Sequence, residues 1–408
     1  MSWDIIKFSN LYSVESRNGL TKPSKIRGSG YKMINMGELF SYDRIYDIPM
    51  ELVPLTDREK NSSRIETGDL LFARQSLVLE GAGKCSIVME TSDLTVFESH
   101  LIRVRLNKEI ANPLFYYYYF KSSLSPIKSI VSQCAQSGIR GSDLGELGVA
   151  FPDISIQNRI ATILSAYDDL IENNQKQNKL LEEAAQRLYK EWFVDLRFPG
   201  YEDVEGVDGV PEGWKKVSIE DVCDTIGGGT PSTKNDDYYR DGHIKWVTPT
   251  DITRKNSLIL LDTEKRITEE GLRNSSAKML PPYTILMTSR ASVGFFGLCE
   301  YEVCTNQGFI SCVPYKENLR FFLLYNLMER VDEIRSKAGG STFLEISKKN
   351  FRELGVIHPP NDILDLFSKI VTPIVSQIEI HTKSIKGLQE ARDRLLPKLM
   401  SGEMEVIG

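Results

Sequence analysis

The chain repeats one pattern of residues twice, and this repetition limits its fold more than any other feature of the sequence. Four segments of the first half recur in the same order at an offset of about 210 residues, roughly half of the 408-residue chain. The matched segments are 3–8 with 214–219, 68–74 with 282–290, 114–120 with 319–325, and 146–152 with 353–359. Because the order is preserved across all of them, the sequence predicts two similar domains that arose by duplication.

Each copy combines a mixed globular part with a long helix. Runs such as 284–287 and 309–313 are rich in β-forming residues and lie between Gly, Pro, Asn and Asp turns. The aromatic run 114–120 has the consecutive bulky residues of a core helix or strand, which we favour over a base-stacking platform. These patterns predict an α+β fold with two similar mixed α/β domains.

The end of the second copy carries a coiled-coil pattern. Two rows recur every seven residues there: Phe367, Ile374, His381, Leu388, Leu395, and Val371, Ile378, Ile385, Arg392, Leu399. Pro373 should lie near a first turn or bend the helix, so we expect the regular part to begin there. In the helix of the first copy, Asn174 and Gln177 fall on the apolar seam, where polar side chains can fix register. We expect the two helices to pair antiparallel and to relate the domains by a pseudo-twofold repeat.

The same patterns and the charge distribution divide the chain into five parts. They are a first domain over 1–152, its helix over 153–196, an acidic linker over 197–212, a second domain over 213–359 and its helix over 360–401. The net charge is -6, yet residues 1–150 contain 18 basic and 17 acidic side chains. Residues 201–212 contain five acids and no basic residue. The acidic total is therefore a property of the linker and does not count against a nucleic-acid partner.

Composition narrows the class of protein. The chain is 41% hydrophobic with a mean hydropathy of -0.26, and its N-terminal residues lack a secretory pattern, so we expect a cytoplasmic globular protein. The cysteines form no CxxC pair, and only four histidines are present. Buried thiols are a better interpretation of Cys85, Cys134, Cys223, Cys299, Cys304 and Cys312 than disulfides or a zinc site.

Catalytic motifs are missing from the sequence. It has no D/E-x-K of the common metal-dependent nucleases, and no GxSxG nucleophile elbow. The glycine-rich run 227–234 departs from the phosphate-binding GxxxxGK[ST] pattern, and Leu280 precedes Pro281 where a methyltransferase needs Asn or Asp. We therefore predict no catalytic residue, no metal site and no cofactor held by this chain, which nearly excludes a fused methyltransferase or nuclease.

Three groups of segments are similar to signatures of one family. Residues 388–403 match its closing signature, and residues 151–174 match its central helix. Residues 230–232, 288–294 and 305–309 match recurring segments of its target-recognition domains. The first copy departs from them, since Phe72-Ala73-Arg74-Gln75 stands for Thr-Ser-Arg-Ala and Glu98-Ser99-His100 for Thr-Asn-Gln. On these segments nearly the whole chain resembles the specificity subunit of type I restriction–modification systems.

This resemblance implies a function for both kinds of segment. Each globular domain would read one half of a split, asymmetric DNA target, while the helices set the spacing and dock two modification subunits. Those methyltransferase subunits would bind S-adenosylmethionine, and restriction subunits would supply translocation and cleavage with ATP and Mg²⁺. The alternative is a duplicated coiled-coil adaptor that binds protein partners rather than DNA.

Candidate contact residues follow from side-chain chemistry, because Arg, Lys, Asn, Gln, Ser and Thr on loops typically contact bases and phosphates. In the first domain they are Lys22, Lys25, Arg27, Tyr31, Arg74, Gln75, Lys84, Arg140 and Ser142. In the second they are Thr230, Ser232, Lys234, Thr250, Arg290, Ser292, Gln307, Ser341 and Thr342. Apolar surface for partner subunits is expected at Ile156, Ile160, Leu188, Tyr189, Trp192, Phe193, Leu395 and Leu399.

Overall fold

The computed structural model describes residues 3–76, 81–91, 93–131, 137–207, 209–255, 257–340 and 344–406. The chain forms two compact units, each containing one globular repeat and parts of both long helices. The first unit comprises Met1–Leu170 with Leu388–Gly408, and the second comprises Ile171–Gly387.

The elements of the first repeat begin at residue 4 and end with the first long helix. In chain order they are β1 (Asp4–Lys7), β2 (Tyr12–Asn18), β3 (Tyr31–Ile34), α1 (Met36–Ser41), β4 (Arg44–Ile45), β5 (Glu51–Val53), α2 (Asp57–Ser62), β6 (Leu70–Ala73), β7 (Gln75–Ser76), β8 (Cys85–Val88), β9 (Thr95–Phe97), β10 (Leu101–Leu106), α3 (Pro113–Lys121), β11 (Ser137–Gly138), α4 (Gly141–Glu146), β12 (Gly148–Phe151) and α5 (Ile154–Tyr189). Helix α5 continues into a π-helical turn over Lys190–Val194.

The remaining elements begin with a short hairpin in the acidic linker and continue through the second repeat. They are β13 (Gly206–Val207), β14 (Val210–Pro211), β15 (Lys215–Ser218), β16 (Cys223–Gly227), β17 (Ile244–Val247), α6 (Pro249–Thr253), β18 (Lys265–Ile267), α7 (Glu269–Arg273), β19 (Ile285–Thr288), β20 (Phe296–Gly297), β21 (Cys304–Thr305), β22 (Phe309–Pro314), α8 (Leu319–Glu329), α9 (Val331–Ser336), α10 (Lys348–Arg352), β23 (Gly355–His358) and α11 (Asn361–Met400).

The described strands of the two repeats are connected in the same way, which confirms the predicted duplication and α+β fold class. The main sheet has the order β2-β10-β6-β8-β4 in the first unit and β16-β22-β19-β20 in the second. Each repeat also has a three-stranded sheet, with the order β5-β3-β9 in the first repeat and β18-β17-β21 in the second. The β3–β9 and β17–β21 pairs are parallel. The terminal strands pair antiparallel, β1 with β12 and β15 with β23.

The largest core of each unit packs the main sheet against several helices, including α3 in the first unit, α8 in the second, and parts of α5 and α11 in both. In the first unit, α3 contributes the aromatic run 115–120, all of which is buried, so the run is a core helix as we favoured. Five of the cysteines, Cys85, Cys223, Cys299, Cys304 and Cys312, are free and buried as predicted, while Cys134 lies outside the described residues.

In the first unit, α5 and α11 run antiparallel and meet at a buried carboxylate. Asp168 accepts hydrogen bonds from the Tyr118 hydroxyl at 2.6 Å and from Arg392 Nη1 at 2.5 Å. Farther along the pair, Arg159 Nη1 donates to the Val406 carbonyl at 3.0 Å. The heptad position occupied by Arg392 is thus polar because it faces Asp168, which ties both helices to α3.

In the second unit, the same two helices are also antiparallel and share a polar seam. Asn178 is buried, donates to Thr382 Oγ1 at 3.1 Å, and lies 3.1 Å from His381 Nδ1. Asn174 donates to Ser384 Oγ at 3.3 Å. Gln177 is exposed, so Asn178 and not Gln177 occupies the seam beside Asn174. Such paired polar groups can fix the register of a helix pair, as expected.

Helix α11 begins at Asn361, close to the predicted bound of 360, and continues through Pro373, which therefore lies inside the helix and not in its first turn. No helix within the described ranges is both long enough and apolar enough to cross a membrane.

In the second unit, a loop of the repeat bonds to the partly buried Lys255 and to Glu182 of α5. Lys255 donates to the carbonyls of Ser257 at 2.6 Å and Leu258 at 2.7 Å, and Glu182 of α5 accepts from the Leu258 amide at 2.9 Å. Burial lowers the pKa of Lys255 to about 8, an effect that the Glu182 carboxylate opposes. The ammonium of Lys255 thus holds two carbonyls of the loop whose Leu258 amide donates to Glu182.

Asp168→Ala should destabilise the first unit by about 3 kcal/mol, because it leaves the buried Tyr118 hydroxyl and the Arg392 guanidinium without their shared acceptor. Urea unfolding followed by circular dichroism measures this change. Asp393 is the matched control, since its side chain is 62% exposed and pairs with the same arginine at 2.8 Å. Asp393→Ala should cost less than about 1 kcal/mol, and equal losses for the two variants would contradict a structural role of the buried pair.

Candidate nucleic-acid interface

Strand register brings several loops of the second unit to one edge of its main sheet. Gly227 at the end of β16 pairs with Ile310, and Thr288 at the end of β19 pairs with Phe309. The loops that follow β16 and β19 therefore lie beside the segment that precedes β22. We call this the second recognition edge, defined by residues 228–234, 289–295 and 305–308.

A glycine holds two of these loops together. A Cβ atom on Gly228 would collide with the carbonyl oxygens of Thr305 and Asn306, so only glycine fits this close approach. The next residue, Gly229, donates its amide to Thr305 O at 2.9 Å. Beyond it, Thr230 donates its hydroxyl to Gln307 Oε1. Two candidates that are 77 residues apart in sequence thus meet on the exposed side of the edge.

The loop between β19 and β20 is a closed hairpin that presents exposed side chains. Thr288 donates its hydroxyl to Ser292 O and accepts the Phe295 amide at 3.0 Å. At the tip, Arg290 and Ser292 are exposed. Arg290 Nε lies 3.6 Å from Glu345 Oε2, and both side chains are 47% exposed. The loop backbone is fixed, while its polar tips remain open to solvent.

The remaining candidates of the second domain lie near this edge or outside the described residues. Thr250 is in α6, which follows β17. At the end of β17 the Val247 carbonyl accepts a hydrogen bond from the Asn306 amide, so α6 begins close to the edge. Ser232 and Lys234 are exposed in the loop that continues from Thr230. Ser341 and Thr342 lie outside the described residues.

Sequence reasoning missed two side chains at the second recognition edge. Glu345 forms a bridge with Arg290, and Lys348 Nζ is 3.7 Å from the position of a Cβ on Gly227. Glu345 lies in the segment that pairs with the β19–β20 loop and Lys348 follows it, and that pairing has no signature in the sequence.

The first unit has a corresponding edge, which we call the first recognition edge, residues 19–20, 74–76, 98–100 and 138–142. Gly19 occupies the place of Gly228, because its Cβ would collide with the carbonyls of Phe97 and Glu98. Arg74 and Gln75 follow β6, and the Arg74 carbonyl accepts the Ile139 amide at 2.9 Å. This hydrogen bond brings the exposed Arg140 and Ser142 to the same edge.

Register corrects the predicted alignment of the two arginines by one residue. Ala73 pairs with Leu101 as Thr288 pairs with Phe309, so Arg74 corresponds to Ser289 and Gln75 corresponds to Arg290. In the three-stranded sheets the Glu98 amide donates to Ile34 O as the Asn306 amide donates to Val247 O, so Glu98 corresponds to Asn306 rather than to Thr305. A shift of one residue changes the face on which a side chain lies, so Arg74 and Arg290 are not equivalent.

Several candidates of the first domain already have ionic partners. Lys22 pairs with Glu59 at 2.8 Å and its side chain is only 10% exposed, and this hydrogen bonding lowers the pKa of Glu59 to about 2. Arg27 pairs with Glu51 at 2.6 Å.

Other first-domain candidates are engaged in part or stay open. Lys84 donates to Phe40 O at 2.8 Å and lies 3.3 Å from Asp43. Tyr31 lies under the Lys60 ammonium at 5.1 Å, while Lys25 is exposed. Among the described candidates, Arg74, Gln75, Arg140 and Ser142 are the group that the first recognition edge brings together.

Most of the helix side chains that we expected to contact partner subunits belong to the hydrophobic cores. Ile160, Tyr189, Trp192, Phe193 and Leu399 are at most 8% exposed and belong to the hydrophobic cores, while Ile156, Leu188 and Leu395 are partly buried against them. Tyr189 also accepts a hydrogen bond from Asn326 at 2.8 Å. For the five buried residues the interpretation as spare apolar surface was wrong, because other side chains of the same unit already cover them, while for Ile156, Leu188 and Leu395 it stays a prediction.

The loop tips of both edges carry polar side chains, within domains that have almost no net charge. The second domain, 213–359, contains 20 basic and 19 acidic residues, so it is nearly neutral like the first. Within the part of the chain that the structure describes, no group of His, Cys, Asp and Glu is arranged to hold a metal ion. The polar loop tips can donate and accept hydrogen bonds, which is the chemistry of base-edge recognition.

Known proteins of one kind share this sequence and fold. A family model described as the type I restriction modification DNA specificity domain matches residues 2–183 and again residues 211–390. The MjaIX specificity subunit of Methanocaldococcus jannaschii is 24% identical, with 99% of this chain and 94% of that protein covered. The HindI specificity subunit of Haemophilus influenzae is 25% identical, with 83% and 87% covered.

A solved structure shows the same fold over the whole chain. It is the S subunit of a type I restriction-modification system from M. genitalium, which aligns with a TM-score of 0.62 at 15% identity. The alignment covers 100% of this chain and 97% of that chain.

Gly228→Ala should disrupt the second recognition edge, because the added methyl cannot fit against the Thr305 and Asn306 carbonyls. We expect DNA binding at the second half-site to fall at least tenfold in a gel shift, with the far-UV circular dichroism retained. Gly387→Ala is the matched control, since nothing lies within 4 Å of its added Cβ. Unchanged DNA binding by Gly228→Ala would remove this edge from the candidate interface.

Proposed function

The chain belongs to the family of type I restriction modification DNA specificity domains, and from this membership we propose that it recognises a split, asymmetric DNA target. Each globular repeat reads one half-site through its recognition edge. The observation that carries this proposal is the pair of equivalent edges, which share a backbone framework and differ in their exposed side chains. Equivalent frameworks with different side chains favour two different half-sites in one target.

The proposed role is non-catalytic. The edges present Arg, Gln, Ser and Thr side chains that can hydrogen-bond to base edges, and no catalytic motif occurs in the sequence. Methylation of adenine is assigned to modification subunits that bind S-adenosylmethionine. Cleavage is assigned to restriction subunits that use ATP and Mg²⁺.

The helices supply the surface for the modification subunits in this proposal. In the second unit, Leu180 of α5 and Leu366, Ile370 and Ile380 of α11 are between 42% and 58% exposed. Apolar side chains exposed on paired helices suit a protein partner. These residues replace the buried side chains that were first assigned to the partner surface.

Weak binding by the isolated chain follows from its charge. Non-specific DNA affinity depends on phosphate neutralisation by basic side chains, and each domain is nearly neutral. The modification subunits should therefore contribute much of the phosphate contact.

Selection from a randomised duplex library tests this function. The chain together with its methyltransferase subunits should enrich two short conserved blocks separated by a spacer of fixed length and arbitrary sequence. The chain alone should bind the same duplexes more weakly, with less discrimination. A complex that enriches no split motif would instead favour the adaptor that binds only proteins.

A further inference from the structure

We infer that one ladder position at each recognition edge reads one base pair, an A·T pair through Gln75 and a G·C pair through Arg290 with Glu345. This inference rests on the proposed function and deepens it by assigning base chemistry to named side chains. It predicts one determinant of the asymmetry between the two half-sites.

The two positions are equivalent by backbone pairing and not by sequence alignment. Gln75 pairs with Gly138 in the β7–β11 ladder, and Arg290 forms a bridge with Glu345. In the same ladders, Ile139 donates its amide to Arg74 O at 2.9 Å and Ile346 donates to Ser289 O at 3.0 Å. The equivalent places therefore carry Gln beside Gly in the first repeat and Arg beside Glu in the second.

Glu345 argues against a phosphate as the partner of Arg290. Its carboxylate lies 3.6 Å from the guanidinium and is equally exposed, so an approaching phosphate would meet both charges. An exposed ion pair of this kind is worth about 0–1 kcal/mol, so it can open without a large cost when a ligand binds. A base pair that presents both acceptors and a donor would satisfy the two side chains together.

The major-groove edge of a G·C pair has that pattern. Guanine presents the N7 and O6 acceptors, which match the two parallel N–H donors of arginine, and cytosine presents the N4 amino donor, which a glutamate accepts. An amide side chain in the same place matches the N6 donor and N7 acceptor of adenine. The residue paired with Gln75 is Gly138, which has no side chain, so no carboxylate of the described residues shares this ladder position and the amide can contact adenine by itself.

The backbone holds Arg290 in a defined place. Its loop is closed by the Thr288 hydroxyl, and Arg335 Nε donates to Val293 O at 3.0 Å. Gly294 has a φ of 86° and packs against Val331, which fixes the end of the loop. Because the loop is preorganised, little entropy is lost when the guanidinium binds a base, which favours discrimination between bases.

The experiment compares the target motif of variant complexes in library selection. Arg290→Gln in the complete complex with its methyltransferase subunits should change one position of the second half-site from G·C to A·T. Gln75→Arg should change one position of the first half-site from A·T to G·C. The preference for the original pair should fall about 5- to 150-fold at that position, and the other half-site should stay unchanged.

Two further variants separate base reading from charge and folding effects. Glu345→Gln should relax discrimination at the same G·C position without altering other positions. Lys349→Gln removes the same charge as Arg290→Gln from a side chain that is 83% exposed, and it should leave the motif unchanged.

The possible results distinguish this inference from the function on which it rests. Arg290→Gln that weakens binding equally on all sequences would identify a phosphate contact and overturn the inference, although the split motif of the unmodified complex would stand. A wild-type motif without the expected A·T or G·C position, or one that the substitutions leave unchanged, would also overturn it. A wild-type complex with no split motif would overturn both.

Discussion

The hydrogen-bond register of the central strands β10 and β22 is the constraint on which both recognition edges depend. Ile102 pairs with Asn18 and with Phe72, while Ile310 pairs with Gly227 and Met287. In the first unit this pairing places the ends of β2 and β6 beside the start of β10 at one edge of the sheet. In the second unit it places the ends of β16 and β19 beside the start of β22. A slip of one residue would exchange the buried and exposed faces of a strand, and the loop tips would no longer meet.

Tight glycine packing completes the framework and limits which residues can vary. Gly19 and Gly228 stand one residue beyond their strands, against backbone carbonyls that leave no room for a Cβ. The backbone of each edge is thereby determined by features that do not contact a ligand. Side chains at the loop tips can then differ between the repeats without a change in the fold, which is how one duplicated scaffold can serve two different half-sites.

Much of the fold could be predicted from the sequence, and the errors have a common physical cause. Heptad spacing predicted the long helices, and consecutive bulky residues predicted that the run in α3 is a core helix or strand, because both signals lie in contiguous sequence. The pairing of Gln75 with Gly138 depends on contacts between distant segments, so sequence alignment equated Arg74 with Arg290 instead. Trp192 and Phe193 were misassigned for the same reason, since their cover comes from the second repeat.

The two domains are nearly neutral, and Arg290 at the second recognition edge lies beside the Glu345 carboxylate. Both facts affect how strongly this edge attracts DNA. A surface that binds phosphates typically carries several Lys and Arg side chains. Here the Glu345 carboxylate lowers the electrostatic attraction of the edge, and so its affinity, for DNA of any sequence. It can add to the affinity only where a base supplies a hydrogen-bond donor. In the proposed function this edge gains selectivity at the expense of affinity, and partner proteins that hold the DNA backbone would supply affinity while the edge compares bases.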